Sequence, residues 1–189
     1  HLTVLSAQDE VVEQEICLGE SWVWDKTGEA YGLTRIDATL NPKDNPGNAT
    51  TSEAPFTVEF GAIQMQVSSG INKSTFYQIP KGQTITFSVA SANIIKIEIH
   101  CTTKNTAQYG PGNITVNKGD YSFSEKIGTW EGHAQNIVFS TSNRVNVTKF
   151  VVTYDDYSTL EGTASIIKTN DHGCDVNYIL NWYLADCAV

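Results

Sequence analysis

The chain has 189 residues, of which 40 % are apolar and 17 % charged, with 12 Lys and Arg against 21 Asp and Glu for a net charge of −9. That is enough for one generous domain or two small ones with a real core. The acidity repels a phosphate backbone and argues against nucleic acid as a partner, and no apolar run reaches the roughly 18–20 residues that a membrane-spanning helix needs.

In chain order, residues 1–40 contain "HLTVL", then "EVVEQEICLGESWVWDKTGEAYGL", then "TRIDATL". The opening "HLTVL" reads as a strand, and a mature N-terminus rarely starts inside one, so the chain reads as a piece of a longer protein. Residues 41–54, "NPKDNPGNATTSEA", carry two Pro, one Gly and a cluster of Asn, Asp, Ser and Thr, which is linker chemistry. Residues 55–156 form a long β-patterned body, and residues 157–189 close the chain.

The body reads as strand after strand. "FTVEF" alternates Phe56, Val58 and Phe60, and "QTITFSVA" alternates Ile85, Phe87 and Val89. "IIKIEIHC" places Ile95, Ile97, Ile99 and Cys101 inward, with Lys96, Glu98 and His100 outward. In "RVNVTKFVVTY", Val147 and Phe150 are three apart, so a bulge near Lys149 is needed to bring both inward. Turn signals fall at Lys81-Gly82, Pro111-Gly112, Lys118-Gly119 and across Gly128–Gly132. Short alternating strands separated by turns predict an all-β fold, a jelly-roll-like antiparallel sandwich.

The two ends carry a resemblance. "EICLGESWVWDKTGEAY" (15–31) and "IIKTNDHGCDVNYILNWYL" (166–184) resemble the opening and closing halves of a short repeat of large surface proteins of Bacteroidetes. Ile16, Cys17, Gly19, Glu20, Trp22 and Trp24 match its early half, and Gly173, Cys174, Asp175, Ile179, Trp182 and Leu184 its late half. In those repeats only a short turn and strand separate the halves, so here the body looks inserted into a small Ig-like host repeat whose two halves are residues 1–40 and 157–189. The body, through "IIKIEIHC", "GTWEGHAQNIVFS" and "VNVTKFVVTY", is similar to a poorly characterised β-sandwich module of the same bacteria. The resemblance implies a bacterial cell-surface or extracellular setting, with neighbouring repeats of the same chain as partners. It also implies a Cys17–Cys174 disulfide, since both occupy the repeat's paired positions, and a shared core face for Trp22, Trp24 and Trp182.

The four cysteines, Cys17, Cys101, Cys174 and Cys187, include no CxxC, which excludes a zinc ribbon or thioredoxin motif by spacing. An even count fits an oxidising compartment. Cys101 is expected in the core as a small hydrophobe, unpaired, and the sequence does not place Cys187.

No constellation spells out a catalytic site. There is no G-x-S-x-G elbow for a serine nucleophile. Of His1, His100, His133 and His172, only His133 lies beside a candidate pocket. Glu125, Glu131 and the Asp155-Asp156 pair follow no glycosidase spacing. The oxygen-rich segments "DNPGN" (44–48) and "TNDHGCD" (169–175) leave calcium open, although turn chemistry accounts for their composition. The N-x-S/T triplets at Asn48, Asn72, Asn113 and Asn146 are of the number that chance supplies in so Asn/Ser/Thr-rich a chain.

The aromatics are more informative, because sugar C–H faces stack on exposed π faces. Trp130 in "GTWEGH" and Tyr109 in "QYGPGN" both lie among glycines, which allow a ligand close to the backbone. With Glu131 and His133 they form a candidate glycan site on loops at one end of the sandwich. The competing reading is that Trp130 plugs the core. Three functions therefore stand open: a non-catalytic surface module recognising glycan or a host ligand, a structural spacer in a stalk, or an ancillary domain of a secreted hydrolase.

Overall fold

A computed structural model describes residues 8–17, 19–32, 34–44, 52–103, 105–156, 160–185 and 187. The "HLTVL" segment and most of "DNPGN" lie outside the described residues. Sixteen strands occur among those described. They are β1 (Gln8–Cys17), β2 (Ser21–Val23), β3 (Ala30–Gly32), β4 (Thr34–Leu40), β5 (Ala54–Phe60), β6 (Ile63–Asn72), β7 (Tyr77–Ile79) and β8 (Thr84–Val89). Next come β9 (Ala92–Cys101), the one-turn helix α1 (Thr106–Tyr109), β10 (Ile114–Val116), β11 (Asp120–Ser124), β12 (Ile127–Ala134), β13 (Asn136–Thr141), β14 (Val145–Asp156), β15 (Glu161–Thr169) and β16 (Asp175–Ala185).

Contacts divide the chain into two compact units, one from the ends, His1–Thr34 with Tyr157–Val189, and one from Arg35–Asp156. In the first, β1 runs parallel to β16, which pairs antiparallel with β15. Alternation sends one side chain in two to each face of this sheet. Ile16, Val176 and Leu180 share one face and are buried there with Trp24. The β2–β3 hairpin packs its aromatics on that face: Tyr31 lies 6.3 Å from Trp24 and 6.2 Å from Trp182. Trp182 in turn lies flat on Gly162, where a β-carbon would meet the indole at 2.8 Å. Trp24 and Trp182 thus do the packing expected of them, and Trp22 is half-buried.

In the second unit, one sheet has the order β5-β6-β8-β13-β10 and the other β7-β14-β9-β12-β11, with β4 also on β14. The end of β6 pairs with β7, so one hydrogen-bonded path joins the two sheets. The order β4-β14-β9-β12 opposed to β8-β13-β10 is that of a jelly roll. The inward faces meet in a continuous core, with Phe87–Phe150 at 5.3 Å crossing between the sheets and Phe87–Phe139 and Tyr77–Phe150, both at 6.0 Å, extending it within each sheet. Each such ring pair adds about 0.5–1.5 kcal/mol beyond its area burial.

Two details differ from the sequence reading. Residues 35–40, assigned there to the host repeat, belong to β4 and pair with body strand β14. On β9 the buried residue is Ile94, with Ile95 half-buried, because Lys96 pairs with Thr153 and Ile94 with Tyr154. Ile95 is the extra residue of a bulge, which resets the alternation. The bulge expected near Lys149 falls on Thr148, between the Val147–Cys101 and Lys149–His100 pairs, and both Val147 and Phe150 are buried.

Candidate functional site

Of the four residues proposed for a glycan site, Trp130 does not belong to one. "GTWEGH" is strand β12, not a loop, and Trp130 is fully buried on its core face. Its indole N–H donates to the Lys118 carbonyl at 2.6 Å. The flanking glycines make room for packed rings rather than for a ligand. A β-carbon at Gly132 would stand 2.8 Å from Trp130 Cζ2, one at Gly119 2.7 Å from its Cε2, and one at Gly128 would collide with the Tyr121 hydroxyl. Tyr109 sits at the end of α1, half-buried, with the Arg144 guanidinium 4.0 Å above its ring centre. It is not an open platform on that side.

Glu131 and His133 are exposed. Glu131 lies opposite Lys96, and His133 lies in the stretch where β12 loses register with β9 between Glu131 and Ala134. Glu131 therefore belongs to the outer face of the β14–β9–β12–β11 sheet, and that face carries the chemistry. Because side chains alternate, β9 presents Lys96, Glu98 and His100 outward in one row. Lys96 Nζ is 2.7 Å from Glu98 Oε1, and His100 Nε2 is 3.1 Å from Glu98 Oε2. The Lys96 ammonium, then the His100 ring, hold the Glu98 carboxyl below its ordinary range against a smaller opposing desolvation. The Lys96 ammonium is raised in return, chiefly by its hydrogen bond to Glu98. On the neighbouring strands Thr129 faces Glu98, Ser122 faces Thr129, and Thr153 donates to Asp37 at 2.6 Å.

Beside this row is a depression of about 420 Å³, lined by Glu98, Ser122, Ser124, Lys126, Thr129 and, at its edge, Phe123. Phe123 is 59 % exposed and leans on Gly112, whose β-carbon would stand 3.1 Å from the ring. An exposed ring beside "QYGPGN" thus exists, but it is Phe123. The sequence hid it, because step-two alternation with Tyr121 marks Phe123 as inward, whereas β11 ends the strand order of its sheet and leaves the ring exposed.

Chemically, the site offers a carboxylate fixed at both oxygens, with a lone pair left on each, three neighbouring hydroxyls and one cation. That set accepts and donates hydrogen bonds to a polyol. A carboxyl held ionised is poorly suited to deliver a proton.

The predicted disulfide also changes. Cys17 is bonded to Cys187, with Cα atoms 5.3 Å apart, and Cys174 is free and exposed. The register is the cause. Cys17 is level with Ala185 on the parallel partner strand, while Cys174 precedes the opposite end of β16. At about 3.3 Å per residue the two are roughly 35 Å apart along the strand, far beyond disulfide reach. Cys101 is buried and unpaired, as expected.

In "TNDHGCD" the Asn170 side-chain oxygen accepts the amides of His172 and Cys174, both at 3.0 Å, and Thr169 donates to Asp175. Turn formation occupies those oxygens. No cluster of three or more His, Cys, Asp or Glu suited to a metal occurs among the described residues. Of the N-x-S/T asparagines, Asn72 and Asn146 are buried. No family model matches the chain, and no curated protein matches it.

Proposed function

We propose that this chain is a non-catalytic module of a bacterial multi-repeat surface or extracellular protein, and that it recognises glycan across the outer face of the β14–β9–β12–β11 sheet. The carrying observation is Glu98, a carboxylate oriented by Lys96 and His100 at the wall of a hydroxyl-lined depression edged by an exposed phenyl ring. Such a constellation matches the vicinal hydroxyls and C–H faces of a sugar. The resemblance of the chain ends to a surface-protein repeat supports the setting. A single shallow site binds a monosaccharide weakly, with Kd near the millimolar range, and gains strength by repetition along a chain.

The test is a glycan array with the wild-type chain against Glu98→Gln and Phe123→Ala. Binding lost in both variants, with the fold retained, supports the reading. Binding unchanged in both overturns it.

A second reading, the structural spacer, draws on a specific observation. Trp130 and Tyr109 do not share an open cleft, because Trp130 is core and Arg144 covers Tyr109. An array with no hit for the wild-type chain leaves the spacer as the better account.

A further inference from the structure

One end of the same face holds a cation with no counter-ion among the described residues. Arg144 immediately precedes β14, and its guanidinium stacks on Tyr109. The Thr102 amide donates to the Asn146 carbonyl at 2.9 Å, so these two residues are neighbours across adjacent chain segments. Asn146 points away from the core-facing Val145 and Val147, yet it is only 9 % exposed. Arg144 Nε, Thr102 Oγ1 and Asn146 Oδ1 are all buried without a hydrogen-bond partner.

Unsatisfied polar atoms in such a group call for an explanation, since burial strips them of water. Among the described residues no carboxylate pairs with Arg144, in a chain whose net charge is −9. Stacking on Tyr109 fixes the guanidinium plane. A fixed and unpaired guanidinium fork is complementary to a planar carboxylate.

We infer that this end of the face takes the carboxylate of an acidic sugar residue, an inference that rests on the glycan reading above. The carboxylate lies on the outward edge of the Arg144 guanidinium. The Thr102 hydroxyl and the Asn146 amide oxygen lie buried at the same end of the face. The sugar is favoured over a peptide terminus because Thr102, just past the end of β9, continues the outward row of His100, Glu98 and Lys96 on that strand. That polar row suits successive residues of a polyol chain.

The experiment is an amide chemical-shift titration of the whole chain with sodium glucuronate, with glucose, sodium acetate and tetra-alanine as comparison probes. Glucuronate is expected to shift the amides of residues 102, 106–110 and 144–146, with at least a ~10-fold weaker response in Arg144→Gln, as for loss of a charge-assisted fork. Glucose, acetate and tetra-alanine are expected to act at least tenfold more weakly than glucuronate. An equal response to glucose removes the carboxylate from the argument and overturns the inference. So does an equal response to acetate or tetra-alanine, which removes the sugar. A glucuronate response undiminished in a folded Arg144→Gln overturns it as well. Glu98→Gln run in parallel separates the two readings: loss of glycan binding in that variant alone tests the depression, and loss of the glucuronate response in Arg144→Gln alone tests this end.

Discussion

The indole N–H of Trp130 donates to the carbonyl of Lys118 at 2.6 Å, tying the core side of β12 to the turn that precedes β11. The ring is wholly buried, and its edges fill the spaces where Gly119 and Gly132 lack side chains. Gly119 is also left-handed, with φ of +77°, so it serves the turn as well as the ring.

Trp130→Ala is therefore expected to behave as a core deletion. A loss of about 3–5 kcal/mol is typical for a buried aromatic, and the unsatisfied Lys118 carbonyl adds to it. Gly132→Val is expected to destabilise through the same contact from the opposite side. Urea denaturation of the two variants measures both effects. A Trp130→Ala protein of wild-type stability would sink the assignment.

How much of this was legible in the sequence depends on what a residue's neighbours do. Ile85, Phe87 and Val89 read correctly as core because unbroken alternation fixes a strand's faces. Ile95 read wrongly because a bulge leaves no mark on the apolar pattern: Ile94 and Ile95 are identical side chains, and only the pairing to Thr153 and Tyr154 decides between them. Trp130 was ambiguous because glycines beside a ring have the same spelling whether they admit a ligand or the ring itself. Glu98 was legible as an outward residue but not as a site, since its partners Lys96 and His100 mark an ordinary polar strand face until the depression beside them is seen. The Cys17–Cys187 bond depends on the parallel β1–β16 register, which pairs residues 168 apart.

That bond closes a loop across 170 residues. Chain-entropy reasoning assigns such a closure about 5 kcal/mol, an upper expectation that measured bridges often miss. Non-reducing peptide mapping is expected to recover a Cys17–Cys187 peptide, and Cys187→Ser to lower the stability of the unit formed by the chain ends. Recovery of a Cys17–Cys174 peptide instead would refute the register.

Glu98 gives a pH-dependent prediction. Its carboxyl is lowered by Lys96 first and then by His100. The folded chain thus holds the ionised form more tightly than the unfolded chain does. The stabilisation is present above the ordinary value of 4.5 and is lost as pH falls through the lower, folded value. Lys96 works with the opposite sign: its share is complete below 10.5 and fades above it. The side chains are 39 % and 29 % exposed, so a double-mutant cycle of Lys96→Met and Glu98→Gln is expected to give a coupling of no more than about 1 kcal/mol. The coupling should shrink when the cycle is repeated near pH 3. A coupling independent of pH would rule out the ionic pair as its source.

The two unpaired cysteines make the sharpest chemical contrast in the molecule. Burial pushes the Cys101 thiol up to about 12, while Cys174 is exposed on the β15–β16 turn. Only thiolate reacts with an alkylating reagent. Iodoacetamide at pH 8 is therefore expected to label Cys174 within minutes and to leave Cys101 intact until the body unfolds. The same burial has a consequence for stability. Above the ordinary thiol value of 9.0 the unfolded chain gives up the Cys101 proton and the folded chain keeps it, so ionisation favours unfolding. The stability of the body should be unaffected by this group below pH 9 and should fall as pH rises from there toward about 12. Tyr121, whose hydroxyl is raised first by burial and donates to the Pro111 carbonyl at 2.9 Å, pulls in the same direction. Cys101→Ala removes the thiol's share of the alkaline loss and leaves that of Tyr121. Urea midpoints at pH 8 and pH 10.5 for the wild-type and Cys101→Ala chains measure the difference. An identical alkaline slope in both would show that the buried thiol does not titrate in the way its surroundings require.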